Sequence, residues 1–445
     1  MQSCTTNRRA SLIALLLCMV FLAACTDSEN KIGTSVKGER FAVMANSKSI
    51  SADKDIAGQK PELSDLMLNA SWPQAGYDPT HVMPNANLAD NPQEIWRSDI
   101  GAGSDSDFKL LARPVVADGH AITMDAQGVV SAFDVKSGER LWQFDTTPPD
   151  RDENAIGGGV GIDGDTVYAT TGFGEILALN ATDGNVRWRK LFANPLRAAP
   201  TINSDRVYVV SIDNQLQTLD ARTGAALWHH NGIAESATLM GASNPAVVDD
   251  NIVVAYSSGE IFNLRAENGR SSWSYGLTMP TQVGALPAIA DIRGLPIIDK
   301  GRVYAISHSG RMASIDLRTG DRVWENDIGG INTPAISGDT IFVLSNDGQL
   351  IAVTRDSGQV LWVQELQQRE DPDDHDSDPV YWAGPVVGGG KLWLTNSMGE
   401  LASFSVLDGS PLSHIDIGAP SFIPPVIADN VIYVVTDNGH LVALR

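Results

Sequence analysis

Tryptophan recurs at nearly regular intervals along most of this chain. The positions are Trp96, Trp142, Trp188, Trp228, Trp273, Trp324 and Trp362. Recurrence with a period of roughly 40 to 50 residues is the signature of a repeat architecture, in which each repeat forms one small unit and buries its faces against its neighbours. The spacing therefore predicts an array of similar units.

A second series of short segments keeps step with the tryptophans. The segments read GVVSAFD, GEILALN, NQLQTLD, GEIFNLR, GRMASID, GQLIAVT, GELASFS and GHLVALR, starting at Gly128, Gly174, Asn214, Gly259, Gly310, Gly348, Gly399 and Gly439. Each is a turn residue followed by alternating apolar positions, which is typical of a strand. The interval from Gly128 to Trp142 is repeated without change in every segment up to the one that ends in Trp362, so the two series belong to one rigid unit.

Each unit contains four predicted strands. The segment is followed by a Gly turn, such as residues 182–184, and then by the strand that carries the tryptophan. Upstream lies another strand pair, for example residues 114–116 and 121–123, joined by an Asp-Gly turn. Four strands in a repeat of roughly 45 residues are typical of a propeller blade.

Counting the repeats predicts an all-β fold, an eight-bladed β-propeller with four-stranded blades. The seventh repeat keeps its spacing but has Ser413 at the tryptophan position. The eighth repeat begins at Gly439 and ends at Arg445, before a tryptophan-bearing strand can form. Trp96 precedes the first complete repeat and supplies the missing strand. An N-terminal strand is thus expected to complete the last blade and close the ring, which pairs the terminal edges.

The tryptophans are expected to pack one blade on the next rather than to contact a ligand. Their arrangement after a Gly turn, as in Asp183-Gly184-Asn185-Val186-Arg187-Trp188, resembles the tryptophan-docking repeat of the pyrroloquinoline-quinone family of propellers. The resemblance covers about residues 90–445 and implies the propeller fold. It leaves the function open, because the repeat occurs in both enzymes and scaffolds.

The N-terminal segment 1–24 has the pattern of a signal peptide. Arg8 and Arg9 precede an apolar run at residues 10–24, which is too short for a comfortable membrane span. The run ends in Leu22-Ala23-Ala24-Cys25, which resembles a bacterial lipobox and implies cleavage before Cys25 and acylation of that residue. The alternative is an ordinary signal peptide that contains a cysteine.

The expected organisation has three parts: a lipoprotein signal peptide at 1–24, a lipidated Cys25 with a flexible tether at 25–88, and a propeller at 89–445. The tether is polar and lacks periodicity, although Trp72 and its neighbours are expected to dock on the folded body. In enteric bacteria an Asp directly after the lipidated Cys favours the inner membrane, and here Thr26 stands there. The implied location is the periplasmic face of the outer membrane of a Gram-negative bacterium.

Charge and motif content argue against several functions. The chain has 54 Asp and Glu against 32 Lys and Arg, a formal charge of -22, so it would repel nucleic acid. Phosphate loops, paired metal-ligating His residues and nucleophile elbows are not found in the sequence. The interpretation is a protein that is not an enzyme, with no cofactor and no catalytic or metal-binding residues.

The enzyme alternative is a periplasmic quinoprotein dehydrogenase that uses pyrroloquinoline quinone and Ca²⁺. Resemblance to quinoprotein alcohol dehydrogenases would imply a vicinal disulfide, but the cysteines are Cys4, Cys18 and Cys25, and none lies in the propeller repeats. Related sugar dehydrogenases lack that disulfide, so the alternative stays open.

One acidic loop, residues 370–378, resembles a calcium loop in part. Asp374, Asp376 and Asp378 have the alternate spacing of such a loop, but Pro379 and Pro385 stand where the turn Gly and the closing Glu belong. A solvated rim loop is the favoured interpretation, and recognition of a basic partner is the other.

The lipobox, the acidic propeller and the missing catalytic set together resemble the BamB family, lipoprotein subunits of the outer-membrane β-barrel assembly machinery. Two segments carry the closer match. Leu239 and Gly241 keep the pattern of the family's Leu-Ser-Leu-Arg-Gly loop, with Met240 in place of its Arg. Asp291 matches the first residue of an Asp-x-Asp loop, and Arg293 replaces the second.

The resemblance implies a scaffold that aids folding and insertion of outer-membrane proteins. The partner-binding residues would be the five just named, and the partner the periplasmic POTRA domains of a BamA-like barrel protein. The loss of a basic residue at Met240 and its gain at Arg293 suggest a swapped contact. Other assembly lipoproteins and unfolded outer-membrane proteins are further expected partners. The alternative for these residues is two ordinary inter-strand loops without a partner.

Overall fold

The computed structural model describes residues 50–56, 58–151, 155–278 and 289–445. The predicted signal peptide and Cys25 lie outside the described residues. Regular structure within the described part is β-strand apart from one 3-10 turn at Lys54–Ile56. No helix there is long and apolar enough to cross a membrane.

The strands form eight antiparallel sheets of four. Strand β1 is Glu94–Asp99. Blades 1 to 4 are β2 Val115–Ala117, β3 His120–Met124, β4 Val129–Asp134 and β5 Arg140–Asp145; β6 Gly159–Asp163, β7 Thr166–Thr170, β8 Glu175–Asn180 and β9 Val186–Leu191; β10 Thr201–Asn203, β11 Arg206–Val210, β12 Gln215–Asp220 and β13 Ala226–Asn231; and β14 Ala246–Val248, β15 Asn251–Ala255, β16 Glu260–Arg265 and β17 Ser271–Gly276.

The second half of the ring repeats this pattern. Blades 5 to 8 are β18 Ile297–Asp299, β19 Arg302–Ser307, β20 Arg311–Asp316 and β21 Arg322–Asn326; β22 Ala335–Ser337, β23 Thr340–Leu344, β24 Gln349–Thr354 and β25 Val360–Glu365; β26 Trp382–Gly388, β27 Lys391–Asn396, β28 Glu400–Ser405 and β29 Pro411–Asp416; and β30 Val426–Ala428, β31 Val431–Thr436 and β32 His440–Leu444, with β1 as the outer strand. The first strands of neighbouring blades contact one another, so they line the centre of the ring.

Closure of the ring is confirmed in register. Strand β1 pairs antiparallel with β32, from Glu94 opposite Leu444 to Asp99 opposite His440. Beyond the strands, the backbones of Gln93 and Arg445 exchange two hydrogen bonds of 2.8 Å. The prediction of an eight-bladed propeller whose last blade is completed by an N-terminal strand is therefore correct.

Burial follows the position of a strand in its blade. The middle strands, such as β3 and β4, bury nearly every residue between blades. The outer strands β1, β5 and β17 leave most of their residues exposed and bury only the tryptophan at their third position. The alternating segments of the sequence form the third strands, such as β4, whose two faces are both buried between blades, so their alternation does not separate a buried face from a solvent-facing one.

Each tryptophan docks on the next blade, as expected of a packing residue. Its indole N–H donates to a backbone oxygen there, at 2.7 to 3.0 Å. The pairs are Trp96–Val135, Trp142–Ala181, Trp188–Ala221, Trp228–Ala266, Trp273–Leu317, Trp324–Arg355 and Trp362–Val406. A buried indole needs such a partner, so this hydrogen bond fixes where neighbouring blades meet.

The turn that receives each indole requires glycine. Gly320 has φ +78°, and a Cβ there would lie 2.6 Å from the ring of Trp273. Glycine therefore allows both the backbone conformation and the close approach of the ring. We call each indole with its receiving glycine turn a tryptophan joint.

Among the described residues, one interface between blades lacks a tryptophan joint. Ser413 of blade 7 occupies the tryptophan position, and its hydroxyl lies 2.6 Å from that of Ser403. In the other blades the receiving turn joins the third and fourth strands. In blade 8 these strands are β32 and β1, which belong to distant parts of the chain and are joined by no turn that could receive an indole.

Residues 62–88 close one end of the central channel, and we call this segment the plug. Trp72 is fully buried and exchanges two backbone hydrogen bonds with Val116 of blade 1. Plug residues hydrogen-bond to every blade, the partners in blades 1 to 8 being Val116, Ile162, Ile202, Val247, Ile298, Ser337, Gly389 and Asp429. These partners lie in the innermost strands or just after them, so the plug covers the end of the channel where those strands finish.

The plug changes the predicted organisation. The sequence predicts a flexible tether as far as Leu88, whereas the structure places residues from Ile50 onward in one compact unit with the propeller. The physical reason is the way the plug is held: each blade contributes a few backbone or short side-chain hydrogen bonds. Such contacts require no apolar periodicity. The docking expected of Trp72 is confirmed.

Candidate functional site

The opposite end of the channel carries the connections from the outer strand of one blade to the innermost strand of the next, and we call it the loop face. Two of these connections contain the predicted partner-binding residues. The Leu239 loop, residues 237–245, precedes blade 4, and the Asp291 loop, residues 289–296, precedes blade 5. The structure brings the two loops together.

A buried carboxylate joins the loops. The backbone N–H of Leu239 donates to Oδ2 of Asp291 at 2.8 Å, and Asp291 is only 3% exposed. Burial raises the pKa of the Asp291 carboxyl, while the bond from Leu239 and the charge of Arg293 oppose that rise. Asp291 therefore positions the Leu239 loop from behind and offers a partner little surface of its own.

Apolar side chains reach solvent from these loops and just before them. Met240 is 40% exposed and Ile289 41%, and Ile233, ahead of the Leu239 loop, is 60% exposed. Leu239 is half-buried. Apolar residues presented at the end of a rigid propeller are suited to bind another protein with little ordering on association.

Arg293 lies against the Leu239 loop. Gly241 has φ +90°, and a Cβ at this residue would lie 3.2 Å from Nε of Arg293. The guanidinium of Arg293 thus lies beside Gly241. This glycine follows Met240, which occupies the position of the Arg in the family's loop. This placement fits the swapped basic contact predicted from sequence, which stays a prediction.

The acidic loop at 370–378 lies elsewhere, before blade 7, and is mostly exposed. Its carboxylates accept hydrogen bonds from the loop's own backbone, as Asp374 does from the N–H of Asp376 at 2.9 Å. Within the part of the chain that the structure describes, no group of three or more His, Cys, Asp or Glu side chains is arranged to hold a metal ion.

Sequence reasoning missed a cavity of about 340 Å³ at the channel mouth on the loop face. Its lining includes three arginines, Arg113, Arg197 and Arg293, which come from the connections before three different blades. Ala75 of the plug also lines it and accepts a hydrogen bond from Nη1 of Arg113 at 3.0 Å. No motif marks these arginines, because only closure of the ring brings them together.

Fold and repeats first define the class: an eight-bladed propeller built from pyrroloquinoline-quinone-type repeats. The sequence model of one family, described as outer membrane protein assembly factor BamB, matches residues 89–153, 126–364 and 355–445. The chain belongs to this BamB family. Outer membrane protein assembly factor BamB of Yersinia pestis is 25% identical over 368 residues, which cover 81% of this chain and 91% of that relative.

Solved structures share the fold. BamB from Moraxella catarrhalis superposes with a TM-score of 0.68 and 21% identity, covering 80% of this chain and all of that one. Quinohemoprotein alcohol dehydrogenase from Comamonas testosteroni gives a TM-score of 0.65 at 14% identity, covering 84% of this chain and 80% of its own. At these identities the likeness shows the propeller alone, which a BamB and an alcohol dehydrogenase share.

Proposed function

We propose that this chain is a scaffold subunit in the assembly of outer-membrane proteins. Membership of the BamB family supports the role in assembly. The rigid ring supports a role in binding, because loops held by paired blades are already ordered before a partner arrives. In this proposal the protein aids folding and insertion of its clients without catalysing a reaction.

The proposed docking site is the pair of loops on the loop face, and its partner is the POTRA region of a BamA-like barrel protein. The observation that carries the proposal is the 2.8 Å hydrogen bond from Leu239 to Asp291, which unites two segments singled out separately by sequence. Leu239 and Met240 would supply the apolar contact. Gly241 would keep the loop close to Arg293, and Arg293 would supply the charge.

The proposed setting is the periplasmic face of the outer membrane. Acylated Cys25 would anchor the protein there, with its binding loops free to reach other assembly lipoproteins and unfolded outer-membrane proteins. Acyl labelling tests the anchor: the wild-type protein should take up label in the membrane fraction, and Cys25→Ser should not. Labelling of the Cys25→Ser protein would contradict it.

The alternative, a quinoprotein dehydrogenase with Ca²⁺, fits the channel mouth poorly. A Ca²⁺ ion needs six to eight oxygen ligands, most of them carboxylate or carbonyl. The cavity presents three arginines and Lys109 against one carboxylate, Asp437, and its other oxygen-bearing side chains are the neutral Ser104, Asn244, Asn332 and Thr333. This donor set repels a cation, so the scaffold is the better supported function.

Capture of the purified POTRA region tests the docking site. Leu239→Ala combined with Met240→Ala should weaken binding at least about tenfold, because truncating an apolar hot spot costs on the order of 2 kcal/mol. The melting temperature should hardly change, since Met240 is 40% exposed. Asp291→Ala should also weaken capture, by releasing the Leu239 loop.

The matched control is the acidic loop. Asp374→Asn combined with Asp376→Asn changes two exposed residues of another connection on the same face, and binding should stay the same. If the acidic-loop variant loses the partner while the Leu239 and Met240 variant keeps it, the proposal has placed the docking site on the wrong blades.

A further inference from the structure

The cavity at the channel mouth is a blind pocket. It opens on the loop face, and Ala75 of the plug forms part of its lining from the other end of the channel. Its volume of about 340 Å³ lies within the range of small-molecule sites. The plug thus gives a pore-like ring a pocket that can hold a ligand.

Positive charge is concentrated in this pocket although the chain is acidic. Within the described residues, none of Arg113, Arg197 and Arg293 forms an ion pair with a carboxylate. Lys109 adds a fourth cation, and Asp437 is the one carboxylate in the described lining. Asp291, outside this lining, accepts the hydrogen bond from Leu239, and its charge favours the charged form of Arg293.

The arginines are held in an environment that disfavours their charge. Burial and, after it, the charge of Arg293 lower the pKa of Arg113 to about 10. Burial also lowers the pKa of Arg293, although the charge of Asp291 opposes that change. The buried Nε of Arg197 has no hydrogen-bond partner within the described residues. Cations gathered in this way are costly without a counter-charge, and an anion between them would relieve both the repulsion and the missing bond.

The rest of the lining is mixed. Its apolar side chains include Leu110, Leu295, Ile331, Phe422 and Ile423, and its uncharged polar residues are Ser104, Asn244, Asn332 and Thr333. Guanidinium groups bind planar oxyanions through paired N–H donors, and apolar walls favour a ligand with a hydrocarbon body. A phosphate dianion would lose more hydration than a carboxylate on entering beside such walls.

We propose that this pocket is a binding site for an organic carboxylate: a carboxylate group held by Arg113, Arg197 and Arg293, on an apolar body that lies against the leucine, isoleucine and phenylalanine walls. The ligand is either a free organic acid or the C-terminal carboxylate of a peptide. The site is separate from the docking loops except at Arg293 and the Met240 to Ala242 edge, and it does not depend on the proposed scaffold function.

Isothermal titration of the full-length protein in detergent tests the site with four probes. They are 3-phenylpropanoate, its neutral analogue 3-phenylpropanol, the N-acetylated peptide Ala-Ala-Ala-Ala-Leu with a free C-terminus, and the same peptide amidated. At least one acid should bind saturably, and its neutral counterpart at least about tenfold more weakly. Binding of the free acid, the peptide or both identifies the source of the carboxylate.

Arg197→Met is the decisive variant, because Arg197 precedes blade 3 and lies outside both docking loops. It should weaken carboxylate binding at least about tenfold while leaving POTRA capture unchanged. Arg222→Met, which alters an exposed arginine on a turn of blade 3, is the matched control and should bind like the wild-type protein. A circular dichroism melt confirms that each variant is folded.

Several results would overturn the site. These are equal binding of an acid and its neutral counterpart, no saturable binding of either acid, tighter binding of phenyl phosphate than of 3-phenylpropanoate, and unchanged binding by the Arg197→Met protein. Loss of POTRA capture by the Leu239 and Met240 variant with carboxylate binding intact would leave both proposals standing. POTRA capture tests the docking site and carboxylate binding tests the pocket, so failure of one proposal can be told from failure of the other.

Discussion

Within the described ranges, seven interfaces of the ring have a tryptophan joint, and the eighth, between blades 7 and 8, does not. At the seven, an indole N–H reaches the next blade and a glycine turn accommodates the ring, as Gly358 does for Trp324. At the eighth, Ser413 bonds within its own blade to Ser403. Among the described strands, the eighth interface is also the only one whose receiving blade is assembled from both ends of the propeller.

The difference shows that the tryptophan depends on its receiving turn. Where the chain runs continuously from the third to the fourth strand, a glycine turn exists and an indole docks on it. Where β32 and β1 meet instead, the turn is absent and so is the indole. The serine at position 413, where the other repeats have tryptophan, is thus a consequence of how the ring is closed.

The largest effect should come from breaking the closing blade. Deletion of residues 90–99 removes β1 and the Trp96 joint and exposes the edge of β32. We expect a loss comparable to the whole stability of a domain, about 5 to 15 kcal/mol, so that no cooperative unfolding transition remains. Thermal unfolding measures this. Replacing the exposed residues 370–378 by Gly and Ser is the control, and an unchanged midpoint in the deletion would show that the ring closes differently.

A smaller effect should separate the two kinds of interface. Trp324→Ala removes a buried indole that is 7% exposed and should destabilise the protein by about 3 to 5 kcal/mol. Ser413→Ala at the equivalent position should cost only about 1 kcal/mol, the value of one hydrogen bond to a buried hydroxyl. Denaturation in guanidinium chloride measures both. Equal losses would mean that the tryptophan joints contribute no special stability.

The smallest effect isolates the receiving glycine. Gly320 and Gly119 have φ of +78° and +82°, but a Cβ on Gly320 would meet Trp273, whereas nothing lies within 4 Å at Gly119. Gly119→Ala should cost about 1 to 2 kcal/mol for the backbone alone. Gly320→Ala should cost a further 1 to 3 kcal/mol, roughly, for displacing the ring. If the two variants unfold at the same denaturant concentration, the indole moves aside freely.

Most of the fold was predictable because it repeats. The constant interval between segment start and tryptophan located the blades, and Trp96 located the closing strand. The reason for Ser413 was not predictable, since it depends on a turn that is missing from another part of the chain. The plug was not predictable either, because its hydrogen bonds, such as that from the Asp429 N–H to Asn69, follow no period in the sequence.

The candidate site was predictable only in part. Sequence resemblance singled out Leu239 and Asp291, which the structure joins directly. It could not show that Asp291 is buried behind the loop, because burial there depends on how two connections fold on each other. No sequence motif includes Arg113 or Arg197. Their role in a common pocket is visible only once the fold places them together.

Closure by the first strand also dictates an order of folding. Strand β1 is synthesised before all seven continuous blades, and its partner β32 after them, so β1 has no native partner until His440–Leu444 has left the ribosome. Blades 1 to 7 are each made of adjacent strands and can form as they emerge, while the ring itself must wait. Bringing such distant residues together carries an entropic cost that grows slowly with length. The final event in biogenesis should therefore be a single late step, before which the unpaired edges of β1 and β32 are the part of the nascent protein most exposed to wrong pairing.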